Sequence, residues 1–527
     1  MSSIAFTSVA VQEPRSSTRD WIAVLAGMIG AFMAILNIQI TNASLLDIEG
    51  GIGTGVDNGA WISTSYLIGE IIVIPLTAYF SNVFSFRRYI LANTVLFPLF
   101  SIACAFAHDL GTMIVMRGLQ GFAGGVLIPM AFTMVLTKLP KTQQPVGLAL
   151  FALSVTFAPA IGPTIGGYLT ENYGWQTIFF INAFPSAIMA IALAATLDKT
   201  PMQLHLLREG DWAGIFTMAV GLAALQTVLE EGNKDDWFAS PFILKLSAVA
   251  VVFLATFIWI ELTVEKPLVK LSLLKQRNFA IGVVVNVLVG VALFGTVYIL
   301  PQYLGQVQRY NAEQIGQVLA WTGLPQLLLI PLVPVLMKRF DARYIGFLGI
   351  SIFAASCFMN IGLSADNAGD QFWIPNIVRA IGQALVLTPI TAITTAGIAA
   401  ADAAAASGLT NMLRNLGGAV GTASLGTILT KREQFHSNII GQSVTLARDE
   451  VRQRLDDLTA YFLSHGVSDH ALAAQQAIVA IGRVVKRQAL ILGFSDTFAV
   501  IGVLLAIAAI VLLFAAKPKG ASGAGAH

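Results

Sequence analysis

The chain has 527 residues, of which 56% are hydrophobic and only 11% are charged. A soluble domain averages about 25% charged residues, so the composition excludes a water-soluble globular protein and marks an integral membrane protein. The net charge of +2, from 31 basic and 29 acidic residues, provides no global field for nucleic acid.

In chain order, the first twenty residues are polar and end in the pair Arg19–Asp20. They lack an apolar core followed by a cleavage site, so they do not read as a secretory signal. A spanning helix needs about 20 mostly apolar residues. Fourteen such runs follow, near 21–45, 60–83, 88–107, 111–137, 145–169, 177–197, 211–230, 240–261, 279–303, 314–337, 344–363, 372–397, 408–430 and 490–515. The expected fold is all-helical. Its parts are a tail (1–20), a six-helix block (21–200), two linking helices (201–275), a second six-helix block (276–516) and a tail (517–527). With the N-terminus inside, the inner segments carry seventeen basic residues from Arg15 to Lys519, including Lys266. The short outer loops carry only Lys234 and Arg309. The positive-inside rule therefore places both termini in the cytoplasm.

Span 1 contains "ILNIQITNASL", with the amides Asn37 and Gln39 inside an apolar run. Span 2 contains "LIGEIIVIPL", with the acid Glu70 roughly 15 Å below the outer end of a hydrocarbon layer about 30 Å thick. An acid there costs about 2.5–3.5 kcal/mol unless it is protonated, paired or facing a wet cavity. A carboxyl that exchanges its proton suits a proton carrier. Arg117, in span 4 at a similar depth, cannot shed its charge and is the expected partner of Glu70. The two read either as a coupling pair or as a fixed ion pair that holds helices together. Arg87 and Arg88 follow span 2. Span 5 carries Pro159, Gly162, Pro163, Gly166 and Gly167, a run that bends a helix and admits close neighbours.

Arg379 and Arg414 are further intramembrane cations. Together with Gln39, Asn286, Tyr298 and Gln302 they are the candidates for lining a substrate cavity, because polar groups rarely face lipid. Cys104 and Cys357 lie in apolar runs and read as packing residues. No metal-ligand spacing occurs among the six histidines, and no phosphate-binding Gly-rich loop is present. The outer segment 431–489 holds a charged helix, "DEVRQRLDDLTAYF", and an amphipathic one, "SDHALAAQQAIVAIGRVVKRQ", with Ser468 as its expected N-cap.

The two six-span blocks echo each other. "RGLQGFAGGVLIP" (Arg117 to Pro129) parallels "RAIGQALVLTP" (Arg379 to Pro389), and "FSFRRYIL" parallels "FDARYIGF". Transporters are often built from such repeats. With "LALFALSVTFAPAIGPTIGGYL" in span 5 and "RGLQGFAGG" in span 4, the chain resembles the fourteen-helix drug:proton antiporters of the major facilitator superfamily, EmrB/QacA-like proteins. Two positions depart from that pattern. Asn37 stands where the family usually has a span 1 aspartate, and in "AYFSNVFSFRR" Ala78 and Asn82 replace the usual Gly and Asp of the loop 2–3 motif.

The resemblance implies a proton-driven multidrug exporter, not an enzyme, in a bacterial inner membrane. It needs no cofactor beyond the proton gradient. Its span 4 motif implies a proton-coupling role for Arg117; Glu70 joins it as a proton-coupling candidate on its depth in span 2, and Asn37 on its place at the usual acid position. The resemblance also implies amphipathic substrates, a periplasmic adaptor and an outer-membrane channel. A dedicated exporter of one metabolite, such as a siderophore or an antibiotic, and a transporter-like sensor are the other readings.

Overall fold

The computed structural model describes residues 16–264, 267–399 and 402–517. Arg15, Lys266, Lys519 and most of both tails (1–20 and 517–527) lie outside the described residues. All regular elements among the described residues are helical. The first block contains α1 (Thr18–Ala43), α2 (Asn58–Phe84), α3 (Phe86–Ala105), α4 (Leu110–Lys138), α5 (Gln144–Tyr173) and α6 (Thr177–Thr196). Helices α7 (Trp212–Glu231) and α8 (Pro241–Thr263) follow. The second block holds α9 (Arg277–Gln306), α10 (Glu313–Arg339), α11 (Ala342–Phe358), α12 (Gly369–Thr395), α13 (Ala403–Ser443), α14 (Asp449–Ser464) and α15 (His470–Leu513). Eleven of these are long and apolar enough to cross a membrane, and the bent α5 makes twelve. Helix α11 is a shorter apolar helix. The apolar run of α13 is diluted by Asn411, Arg414 and Asn415. With these two, the helices agree with the fourteen spans expected.

Proline shapes both blocks in the same way. Helix α4 breaks after Gly125 and α12 after Ala384. Pro129 has no N–H to give the carbonyl of Gly125, nor has Pro389 for that of Leu385, so the hydrogen-bond ladder lapses at equivalent places. Helix α5 bends by 44° around Pro159.

Glycine lets the helices touch backbone to backbone. A methyl carbon on Gly121 of α4 would stand 2.0 Å from the Tyr66 carbonyl oxygen of α2, and one on Gly69 would stand 2.2 Å from that of Gly118. The two blocks meet where α5 packs on α10 and α2 on α13. Helix α7 packs against α2 and α13 and so touches both blocks. Ile74, Met218, Phe279 and Leu409 join α2, α7, α9 and α13 in one apolar cluster. Below it, Lys270 pairs with Asp402 at the foot of α13.

The outer segment 431–489 is not a separate loop. Helix α13 continues unbroken to Ser443, and the amphipathic stretch from His470 is the first part of the last span. Neither junction holds a proline, so falling hydropathy ends the apolar run without ending the helix. The expected charged helix is α14. The N-cap of α15 is Asp469, whose side chain accepts from Ala471 N at 2.9 Å, and not Ser468. At the base of this protrusion Asp496 of α15 accepts from Arg432 Nε at 2.6 Å and lies 2.7 Å from His436 Nε2, tying α13 to α15.

Replacing Gly121 with Leu forces α2 and α4 apart. Overpacking of this kind costs about 1–3 kcal/mol or more. The purified Gly121→Leu variant is expected to melt several degrees below the parent in detergent, whereas Gly362→Ala, where an added methyl meets nothing within 4 Å, is expected to melt as the parent does.

Candidate functional site

Arg117 is fully buried in the first block. Its Nη1 donates to Asn37 Oδ1 of α1 at 2.6 Å and to Gln120 Oε1, one turn along α4, at 2.8 Å. Its Nε donates to the Ile62 carbonyl of α2 at 3.2 Å. The guanidinium lies over the Tyr66 ring, 4.4 Å from its centre, and the Tyr66 hydroxyl donates to the Ala34 carbonyl at 3.1 Å. One cation thus draws α1, α2 and α4 together. Asn37, at the usual acid position, serves as its neutral acceptor.

Glu70 is buried near the middle of α2 but is not the partner of Arg117. No ion pair joins them among the described residues. Arg117 directs its hydrogen bonds to Asn37, Gln120 and Ile62, and the Glu70 carboxyl lies toward α13. Glu70 instead faces the other block. Its Oε1 accepts from Asn415 Nδ2 of α13 at 3.2 Å, and its Oε2 has no hydrogen-bond partner among the described residues. The cations acting most on its carboxyl are Arg414 and then Arg117. Arg414 itself donates to Asn411 Oδ1 at 2.8 Å. Depth alone suggested Arg117; the side of the helix decided for Asn415.

The second block holds a parallel arrangement. Arg379 donates from Nη2 to Thr322 Oγ1 at 2.7 Å and to Asn376 Oδ1 at 2.6 Å, which joins α10 to α12. A cysteine stands near each arginine, Cys104 by Arg117 and Cys357 by Arg379. Pro75 and Pro331 occupy like places in α2 and α10. Five residues before each stand Glu70 and Gln326. Gln326 is fully buried and donates to Gln383 Oε1 at 2.9 Å. The first block therefore has an acid where the second has an amide.

The remaining candidates are scattered. Gln39 packs against Gly162, and Gly166 lies against Ile40, so α5's glycines seat on α1. Asn286 donates to Gly282 O of its own helix at 2.8 Å. Tyr298 and Gln302 line an outer cleft with Asn233, Gly426 and Glu433. Arg87 Nη2 donates to the Ala194 carbonyl at 2.7 Å, while Arg88 is exposed. The corner before them is held by Ser85, at φ +73°, whose hydroxyl meets that of Thr200 at 2.6 Å. Asn82 of that motif is exposed.

Sequence reasoning missed Gln120, although a polar residue three positions after an arginine on one helix signals such a pair. It also missed Glu230 and Glu231 at the end of α7. Glu231 accepts from Thr64 Oγ1 at 3.1 Å and pairs with Lys234 at 3.4 Å. Glu230 accepts from Gln226 at 3.0 Å.

The two networks predict two couplings. In double-mutant cycles read by unfolding in detergent, Arg117→Ala and Glu70→Gln are expected to couple less than Arg117→Ala and Asn37→Ala, because they share no hydrogen bond and act on each other only through the field. Arg117→Ala and Asn37→Ala are expected to depart from additivity by about 1 kcal/mol or more.

The family model of the Major Facilitator Superfamily matches residues 27–422. The chain is 34% identical to the colistin resistance protein EmrB of Acinetobacter baumannii, with 95% of this chain and 97% of that protein covered. It is 31% identical to the multidrug export protein EmrB of Escherichia coli over 98% and 99%. It is 30% identical to the fatty acid resistance protein FarB of Neisseria gonorrhoeae over 96% and 98%. Among solved structures it resembles the proton:xylose symporter XylE, with a TM-score of 0.60 at 12% identity, covering 96% of this chain and 98% of that one. The chain belongs to the major facilitator superfamily, in the group of its EmrB-like multidrug transporters.

Proposed function

We propose that this protein exports amphipathic toxic compounds across a bacterial inner membrane in exchange for protons, with Glu70 as the proton-bearing group. The observation that carries this reading is the Glu70 carboxyl at the contact between the blocks. One oxygen is held by Asn415 of the opposite block, the other has no hydrogen-bond partner among the described residues, and the usual span 1 acid is absent. A charged Glu70 attracts Arg414 and keeps its bond to Asn415. A protonated Glu70 loses the attraction, and the contact between α2 and α13 weakens. Proton binding thereby biases the separation of the two blocks, which is the movement that alternating access requires. Asn37 and Arg117 hold the first block rigid beside it. Both termini lie in the cytoplasm on this reading, because seventeen basic residues fall on that side.

The protrusion of α13, α14 and α15 then stands in the periplasm. Its exposed Leu472, Ile478, Val479 and Val484 offer an apolar surface to a periplasmic adaptor, which passes substrate on to an outer-membrane channel. The chain is read here as the permease of such a three-part pump.

If Glu70 carries the proton, Glu70→Gln binds substrate with an affinity near that of the parent but accumulates none against a gradient in everted vesicles. Export by Glu70→Gln that still collapses with the proton gradient would overturn the assignment. Asn37→Asp, which restores an acid beside Arg117, is expected to return part of the transport to Glu70→Gln.

Deleting 440–480 removes α14 and the tips of its two neighbours. Uptake into everted vesicles is expected to persist while drug resistance in cells falls to the level of a strain lacking the protein. Loss of both would show instead that the protrusion serves folding or acts as a lid.

A further inference from the structure

One cleft breaks the charge pattern of the whole chain. It lies where the outer end of α9 meets α15 at the base of the protrusion. Arg309, Arg483, Lys486 and Arg487 line it, together with Val307 and Leu490. Arg309 is one of the only two basic residues in the short loops on this side. The fold brings it onto three of the eight basic residues between 431 and 489. None of the four takes part in an ion pair among the described residues. Arg487 Nη2 donates to the Val307 carbonyl at 3.0 Å, which closes the floor of the cleft. Arg309 is held at φ +58°, a left-handed backbone that favours glycine or asparagine over a large side chain. Strained residues of this kind gather where a ligand is held. On the far side of Lys486 a neighbouring cleft contains Glu433, which leaves the three arginines without an opposing carboxylate in their own cleft.

We propose that this cleft binds the phosphate headgroup of an anionic phospholipid in the leaflet on the side of the protrusion. Arginine forks match phosphate oxygens two at a time. Basic residues at a membrane surface recruit anionic lipid. The cleft is apolar beside the cations, where Val307, Val484 and Leu490 line it. A free phosphate ion uses the cations alone. A phospholipid uses the cations and sets the start of its acyl chains against Val307, Val484 and Leu490. The bound lipid clamps α9 to α15 where the long helix leaves the membrane. This inference stands independently of the efflux reading and of which leaflet the protrusion faces.

The test uses the full-length protein, released from nanodiscs of phosphatidylglycerol and phosphatidylcholine and read by native mass spectrometry. The parent is expected to retain phosphatidylglycerol in preference to phosphatidylcholine. The triple variant Arg309→Gln, Arg483→Gln, Arg487→Gln is expected to retain it about a hundredfold more weakly, the loss that three surface cations imply. No preference in the parent, or equal retention by the triple variant, overturns the proposal. Displacement of the lipid by inorganic phosphate at equal concentration also overturns it, in favour of a soluble anion site. Should the triple variant fail to fold, Arg309→Gly decides. It relieves the left-handed backbone, so its melting temperature is expected to match or exceed the parent's, while its retention of phosphatidylglycerol falls about fivefold. Undiminished retention by Arg309→Gly then overturns the proposal.

Discussion

A guanidinium inside a membrane cannot neutralise itself, so neighbouring helices must come to it. Arg117 and Arg379 each impose that requirement on one block. Arg117 gathers the Asn37 amide and the Ile62 carbonyl, which fixes α1 and α2 against α4. Arg379 gathers Thr322 and Asn376, which fixes α10 against α12. The glycine contacts between α2 and α4 serve the same need, because backbones must come close for short amides to reach an arginine. Within this frame of permanent cations, Glu70 is a buried acid at the contact between the blocks. Its bond leaves its own block altogether.

The repeat makes that position more telling. The two halves share the proline pairs Pro75 with Pro331 and Pro129 with Pro389, the buried arginines Arg117 and Arg379, and a cysteine beside each of those arginines. They differ at Glu70 and Gln326. An amide fills the same volume and hydrogen-bonds Gln383 within its own block, so the second half keeps the geometry of the first without its acid. Symmetry of packing and asymmetry of charge coexist in one fold. That combination gives one half an acid at the contact between the blocks and the other an amide bonded within its own block.

Much of this was legible in the chain before any coordinates. Hydropathy gave the membrane class and most spans, since about 20 apolar residues in a row admit few other readings. Pro159 and Pro163 announced the bend of α5. The partner of Glu70 was not legible, because depth along a span can be counted from sequence while the face of a helix depends on how two bundles dock. Asn415 lies 345 positions away, and no local pattern joins it to Glu70. The outer segment was misjudged for a different reason. The stretches "TKREQFHSNIIGQS" and "SDHALAAQQ" are polar, and polarity marks the end of a span but not the end of a helix.

That continuity has a mechanical consequence. Helices α13 and α15 run for 41 and 44 residues without a break, which is roughly 60 Å each. Helix α13 carries Asn415 near its inner end and meets α14 beyond its outer end. It acts as a lever whose short arm touches the acid between the blocks and whose long arm is the protrusion. A tilt of about 10° around the inner end moves the tip by about 10 Å. The salt bridge from Asp496 to Arg432 ties the second rod to the first. If the blocks part when Glu70 takes up a proton, as proposed, the protrusion becomes a pointer whose angle reports it.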